Sequence, residues 1–151
     1  MGRVGVSERV WEWQRDEYTI STDRSRLDLE AVHRYLSDES YWAGGRARDV
    51  VERSVENSLC FGVYRGGELV AFARVVTDYA TFAWLCDVFV LDAHRGKGLG
   101  KWLIETVVGH PELQGLKNFI LATRDAHGLY ERYGGFERVT QTPNMMRRST
   151  T

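Results

Sequence analysis

Between positions 95 and 101 the chain reads Arg95, Gly96, Lys97, Gly98, Leu99, Gly100, Lys101. This run follows the longest strand-like stretch, residues 82–90, and precedes a helical pattern with Leu99, Trp102, Leu103 and Val107 on one face. A strand feeding a helix through glycines restricts the fold. It also suggests a ligand, because a helix start exposes unpaired N–H groups at a positive dipole end, and glycines let an anion come close. Three phosphate-binding patterns compete for the turn. A Walker loop fails twice: Arg95 stands where its first glycine belongs, and Trp102 stands where Ser or Thr should follow the lysine. A dinucleotide fingerprint starting at Gly96 would need glycine at Lys101. The pattern Arg or Gln followed by xxGxG or xxGxA is matched by Arg95, Gly98 and Gly100. The bland alternative is a basic turn that holds nothing.

The flanking segments extend the architecture. A short extended piece covers 18–21, and Asp28 can cap a helix with Leu29, Val32 and Leu36 inward. After Gly44 and Gly45 a second helix presents Ala47, Val50, Val51 and Val55. Runs 59–64 and 69–76, joined by Arg65, Gly66, Gly67 and Glu68, read as a hairpin. Beyond the 99–107 helix come a strand at 119–122, a short helix at 126–133 stopped by Gly134 and Gly135, and weaker strands at 136–139 and 145–147. The first sixteen or so residues show no clear period. The expected order is β-α-α-β-β-β-α-β-α-β-β, an α/β fold with a mixed central sheet.

No linker or repeat divides the sequence, so one domain is expected over 1–151, with an ordered core over about 17–147. Lys and Arg total 20 against 21 for Asp and Glu, with no long run of one sign, which argues against a nucleic-acid or lipid-binding face. The start MGRVGVSERV lacks an apolar signal segment, and no stretch reaches the ~20 apolar residues of a membrane span. The two cysteines, Cys60 and Cys86, lie in apolar stretches without metal-ligand spacing and read as free thiols. A cytoplasmic protein without metal is expected. His33, His94 and His110 pair with no carboxylate or histidine at ligand spacing.

A second informative stretch is 123–136, TRDAHGLYERYGGF. Together with the 95–101 turn it resembles the GNAT superfamily of acyl-CoA N-acyltransferases, with the likeness running from about Leu59 to Phe136 and less specifically back to Asp28. The resemblance implies a mostly antiparallel sheet splayed between its fourth and fifth strands, with acetyl-CoA as cosubstrate. Pyrophosphate would sit on Arg95 to Lys101, and the pantetheine arm would lie along Val88, Phe89 and Val90. It implies direct transfer to the primary amine of a small molecule or peptide, with an N–H, that of Val88, polarising the thioester carbonyl. Tyr130 would be the general acid; an ordinary core tyrosine is the competing view. The family is often dimeric, so a homodimer is among the expectations.

The sequence departs from the family pattern twice. Thr123 stands where many members carry Asn against the pantetheine, a contact its hydroxyl can still make by hydrogen bonding to the cosubstrate, and one extra glycine before Phe136 suggests a local bulge. For the base that frees the amine, Asp87 is the first candidate, through a pKa raised by partial burial, with an Arg-tied carboxylate as the alternative. His127 and a water relay are the others. Tyr41, Trp42 and Arg46, in the loop between the first two helices, would border the acceptor pocket, where aromatic walls suit an apolar or cationic amine; Trp42 could equally plug the core. The bulk of Phe89 near the thioester favours a small acyl group. Two rivals remain at this point, a CoA-binding regulatory domain that transfers nothing and an enzyme that moves a longer acyl group or acylates something other than a free amine.

Overall fold

The computed structural model describes residues 9–140 and 144–149. Among them, six strands form one sheet in sequence order: β1 (Glu12–Arg15), β2 (Tyr18–Ser21), β3 (Leu59–Arg65), β4 (Glu68–Thr77), β5 (Phe82–Val90) and β6 (Asn118–Leu121). All neighbours run antiparallel except β5 and β6, which are parallel. Helices α1 (Leu29–Arg34) and α2 (Arg48–Glu56) cover one face; α3 (Leu99–Val108) and α4 (His127–Gly134) cover the other. The α/β class and the mostly antiparallel sheet are those expected.

Both faces of β3 and β4 are covered, which is why these strands read as nearly continuous apolar runs. Val32, Leu36, Val51 and Val55 pack with Cys60, Tyr64 and Phe72 on one side. Leu103, Ile104 and Val107 pack with Phe61, Val63, Ala73 and Leu85 on the other. Burying each of the Val, Leu, Ile and Phe side chains contributes about 1.5–3 kcal/mol. Asp28 caps α1 as expected, its Oδ1 accepting the Ala31 N–H at 3.1 Å. The helix then widens into one π turn, Tyr35–Glu39.

Several expectations need correction. Strand β1 lies where no period was legible, because only Trp13 of its four residues is even half-buried; that ring stacks on Phe61. Val50 is 52% exposed, and Ala47 is the exposed N-cap of α2, so Val51 and Val55 alone carry its inner face. No strand forms at 136–139 or 145–147 among the described residues. The extra glycine makes a helix stop and no bulge. Gly135 takes the left-handed conformation, φ 71°, as the C-cap of α4, and a Cβ on Gly134 would lie 2.7 Å from the Phe136 ring.

The irregularity that matters for function lies in β5. Its register against β4 shifts between Phe72 and Arg74, and Asp87 opposite this shift has φ 54°. A bulge adds one residue, so the inward parity reverses. Ala83 and Leu85 face α3, whereas Phe89 faces the α1–α2 layer and stacks on Tyr35 at 4.0 Å. Phe89 therefore packs into the core on that side, and with Tyr35 it also lines the cleft beside the end of β5. Pairing with β6 ends at Leu85↔Leu121, so the sheet splays where expected.

Cys60 is buried and Cys86 half-buried, both as free thiols. Among the described residues no helix is long and apolar enough to cross a membrane. Nor does any group of three or more His, Cys, Asp or Glu side chains there have the geometry to hold a metal ion.

Candidate active site

The splay opens a cleft of about 570 Å³ that runs from the glycine turn to Tyr130, between the end of β5 and the start of α4. Leu91, just past β5, donates its N–H to Val70 O on β4 at 2.9 Å. Backbone groups alternate sides along a strand, so those of Val88 and Val90 point into the opening, and those of Phe89 point to β4. The turn itself is held open by conformation. Gly98 caps α3 with φ 78° and ψ 13°, a geometry costing other residues roughly 1–2 kcal/mol, and leaves the first N–H groups of α3 without helical acceptors. Gly96, Gly98, Leu99, Gly100 and Lys101 all line the cleft. Lys97 lies beside it, in a smaller hollow with Gly98, Leu99 and Trp102.

Arg95 is engaged in holding the turn. Its guanidinium donates to Val90 O at 3.0 Å and to the Tyr35 hydroxyl at 3.0 Å, and it pairs with Asp92 at 2.6 Å. Tyr35, supplied by the π turn, is a residue of this cleft that the sequence did not single out.

A second cleft of about 430 Å³ adjoins the first, and Tyr41, Trp42, Val88, Asp125, Ala126 and Tyr130 line both. Tyr130 thus stands where the two meet, 9% exposed. Burial, helped by Tyr41, pushes its phenol up to about 12, so it keeps its proton throughout the neutral range.

At the floor of the second cleft is Asp87, 4% exposed. Its Oδ1 accepts the Trp42 indole N–H at 2.9 Å, and its Oδ2 accepts from Arg46 and from Arg74, each at 2.8 Å. Arg74 also donates to Ser58 Oγ at 3.0 Å. Burial pushes the Asp87 carboxyl up, but Arg74 and then Arg46 outweigh it and hold the pKa below the usual carboxylate range. This corrects the expected upward shift; the Arg-tied alternative describes the geometry. Thr123 lines the second cleft, and its Oγ1 accepts the Ala126 N–H at 3.1 Å, which leaves the hydroxyl proton able to donate. His127 lines a separate groove with Phe119 and Phe136.

The family model described as acetyltransferase (GNAT) family matches residues 7–136. The chain belongs to the GNAT acetyltransferase family. A candidate acetyltransferase from Gibberella zeae is 32% identical over 140 residues, covering 78% of each chain. A candidate GNAT acetyltransferase of known structure from Xanthomonas campestris pv. campestris is 50% identical, with TM-score 0.84, covering 88% of this chain and 93% of that one. A structure from Clostridium acetobutylicum, a candidate acetyltransferase solved with acetyl-CoA, covers 87% and 94% at TM-score 0.62; at 13% identity it shows the fold alone.

As a GNAT acetyltransferase, the chain carries the acetyl-CoA chemistry of its family. The residues at the splay suit that cosubstrate: a glycine turn with free helix N–H groups for phosphates, and strand groups of Val88 and Val90 without a β6 partner. Sequence reasoning missed Arg74 in this GNAT site. The available signal was that Arg74 interrupts an apolar strand and Asp87, the sole charge in 82–90, interrupts the next.

Proposed function

We propose that this acetyltransferase moves the acetyl group of acetyl-CoA directly onto a primary amine seated in the second cleft. The observation that carries this reading is the meeting of the two clefts at Tyr130 and Val88. Acetyl-CoA, when bound, supplies the thioester to be attacked and the thiolate that leaves. Residues 96–101 hold its phosphates, and the Val88 and Val90 backbone groups hold the arm beside β5. The Val88 N–H donates to the carbonyl oxygen as negative charge develops there. Tyr130, kept protonated by burial, gives its proton to the departing sulfur.

Asp87 acts as a positioning residue. An ionised carboxylate accepting from three donors is a weak base, but it fixes Trp42, Arg46 and Arg74 around the acceptor. The amine proton leaves through water in the cleft, which needs no protein base. No covalent enzyme intermediate is required, since no Ser, Cys or His of the site is activated as a nucleophile; burial pushes the Cys86 thiol up to about 11.

The test is Tyr130→Phe, assayed by CoA thiol release with an amine panel. Turnover should fall about 100-fold, the low end for a lost general acid, with acetyl-CoA affinity by calorimetry within about twofold. Unchanged turnover would remove the acid role. A wild-type protein that binds acetyl-CoA but acetylates nothing would favour a regulatory CoA-binding domain.

A further inference from the structure

Resting on the reading above, we infer that the acceptor carries an anionic group, a carboxylate or a phosphate, in addition to its amine, and that Arg46 and Arg74 receive it. Two guanidinium groups share the single Asp87 carboxylate, both on the same oxygen. Their side chains are only 23% and 14% exposed. The other charges lining the cleft are Arg124 and Asp125 at its mouth, well exposed and 3.9 Å apart, which offset one another. Three arginines against two aspartates leave the cleft with one positive charge among the described residues that line it. Cys86 adds no negative charge at neutral pH, because burial keeps its thiol protonated.

A half-buried cation without its own counter-ion is costly to maintain in a stable fold, and a ligand anion offsets that cost. The guanidinium fork is also the side-chain geometry that matches a planar carboxylate or a phosphate with paired hydrogen bonds. Arg74 has donated Nε to Asp87 and Nη1 to Ser58, and Arg46 has donated Nη1, so each keeps donors for a ligand. The walls supplied by Tyr41, Trp42 and Trp84 accommodate a flat or apolar body between the anion and the amine. The same positive charge repels an ammonium ion. It therefore disfavours polyamines and other polycations, and it favours the neutral, nucleophilic form of whichever amine enters. This reverses the cationic preference that the aromatic residues alone suggested.

The Trp42 indole N–H, bonded to Asp87, reports on this network. Its nitrogen–proton NMR signal, assigned with Trp42→Phe, would be followed in the full chain saturated with CoA during titration with phenylacetate, phenyl phosphate or phenethylamine. Phenylacetate or phenyl phosphate should shift it saturably, with at least tenfold tighter binding than phenethylamine. The tighter of the two anions identifies carboxylate or phosphate as the acceptor's charge. Arg46→Gln leaves Arg74 and Asp87 paired one to one and should weaken the anion at least tenfold, while CoA affinity is unchanged. Phenethylamine binding as tightly as the anions, no saturable shift with either anion, or undiminished anion affinity in Arg46→Gln would each overturn the inference. Failure of CoA itself to bind would instead remove the acyltransfer reading on which it rests.

Discussion

The two clefts that meet at Tyr130 are built by opposite means. The first cleft, proposed for the cosubstrate, is made largely of backbone: a left-handed Gly98, the first N–H groups of α3, and the Val88 and Val90 edges exposed by the splay. The second cleft, proposed for the acceptor, is made of side chains from β4, β5 and the loop between α1 and α2, converging on one carboxylate. Backbone recognition tolerates change in most side chains and serves a ligand common to a whole family. A side-chain network is specific and can be retuned residue by residue. The contrast explains why the cosubstrate is evident from the family and the acceptor is not.

Asp87→Asn attacks the side-chain half most severely. Removing the carboxylate leaves two guanidinium groups unpaired, and stability at pH 7 should fall by about 3 kcal/mol, measured by urea unfolding. Because the folded pKa of Asp87 is depressed, its stabilising contribution is present above the unfolded carboxylate value of about 4 and is lost as pH falls through the folded value. The gap between wild type and variant should therefore close in acid. A constant gap from pH 7 to pH 3 would show that the loss is not electrostatic.

Gly98→Trp attacks the backbone half. A bulky residue forced to φ 78° at the helix start should weaken acetyl-CoA binding at least 100-fold while circular dichroism remains native. Wild-type affinity would move the phosphate site elsewhere. Trp42→Phe is the mildest test: it keeps the wall and loses one hydrogen bond of about 1 kcal/mol, so the acceptor KM should rise about fivefold with the acetyl-CoA KM unchanged. Equal changes in both would mean that the two clefts are not separable.

Much of the fold was legible because its signals are local. The 82–90 strand, the Asp28 cap and the 99–107 face depend on neighbours in sequence, and they appear as β5, the start of α1 and α3. Strand β1 was illegible because a mostly exposed edge strand needs only one inward residue, Trp13. Val50 was misread because its spacing fits an apolar face that α2 does not bury at that point. Phe89 was placed beside the thioester by the family resemblance alone. The bulge at Asp87 turned it to the opposite layer, and only the register against β4 reveals that.

By itself the amino-acid sequence determined the glycine turn, the hairpin, the inner face of α3 and the order of elements from β2 to α4, since each follows from dihedral preference or periodicity within about a dozen residues. Only the tertiary structure decided that Arg46, Arg74 and Trp42 share the Asp87 carboxylate, because those positions lie between 13 and 45 residues from it in the chain. It also decided the pKa direction of Asp87, which is a contest between burial and two partner charges. Neither the burial nor the partner charges exist until the sheet and the loop have closed around the site.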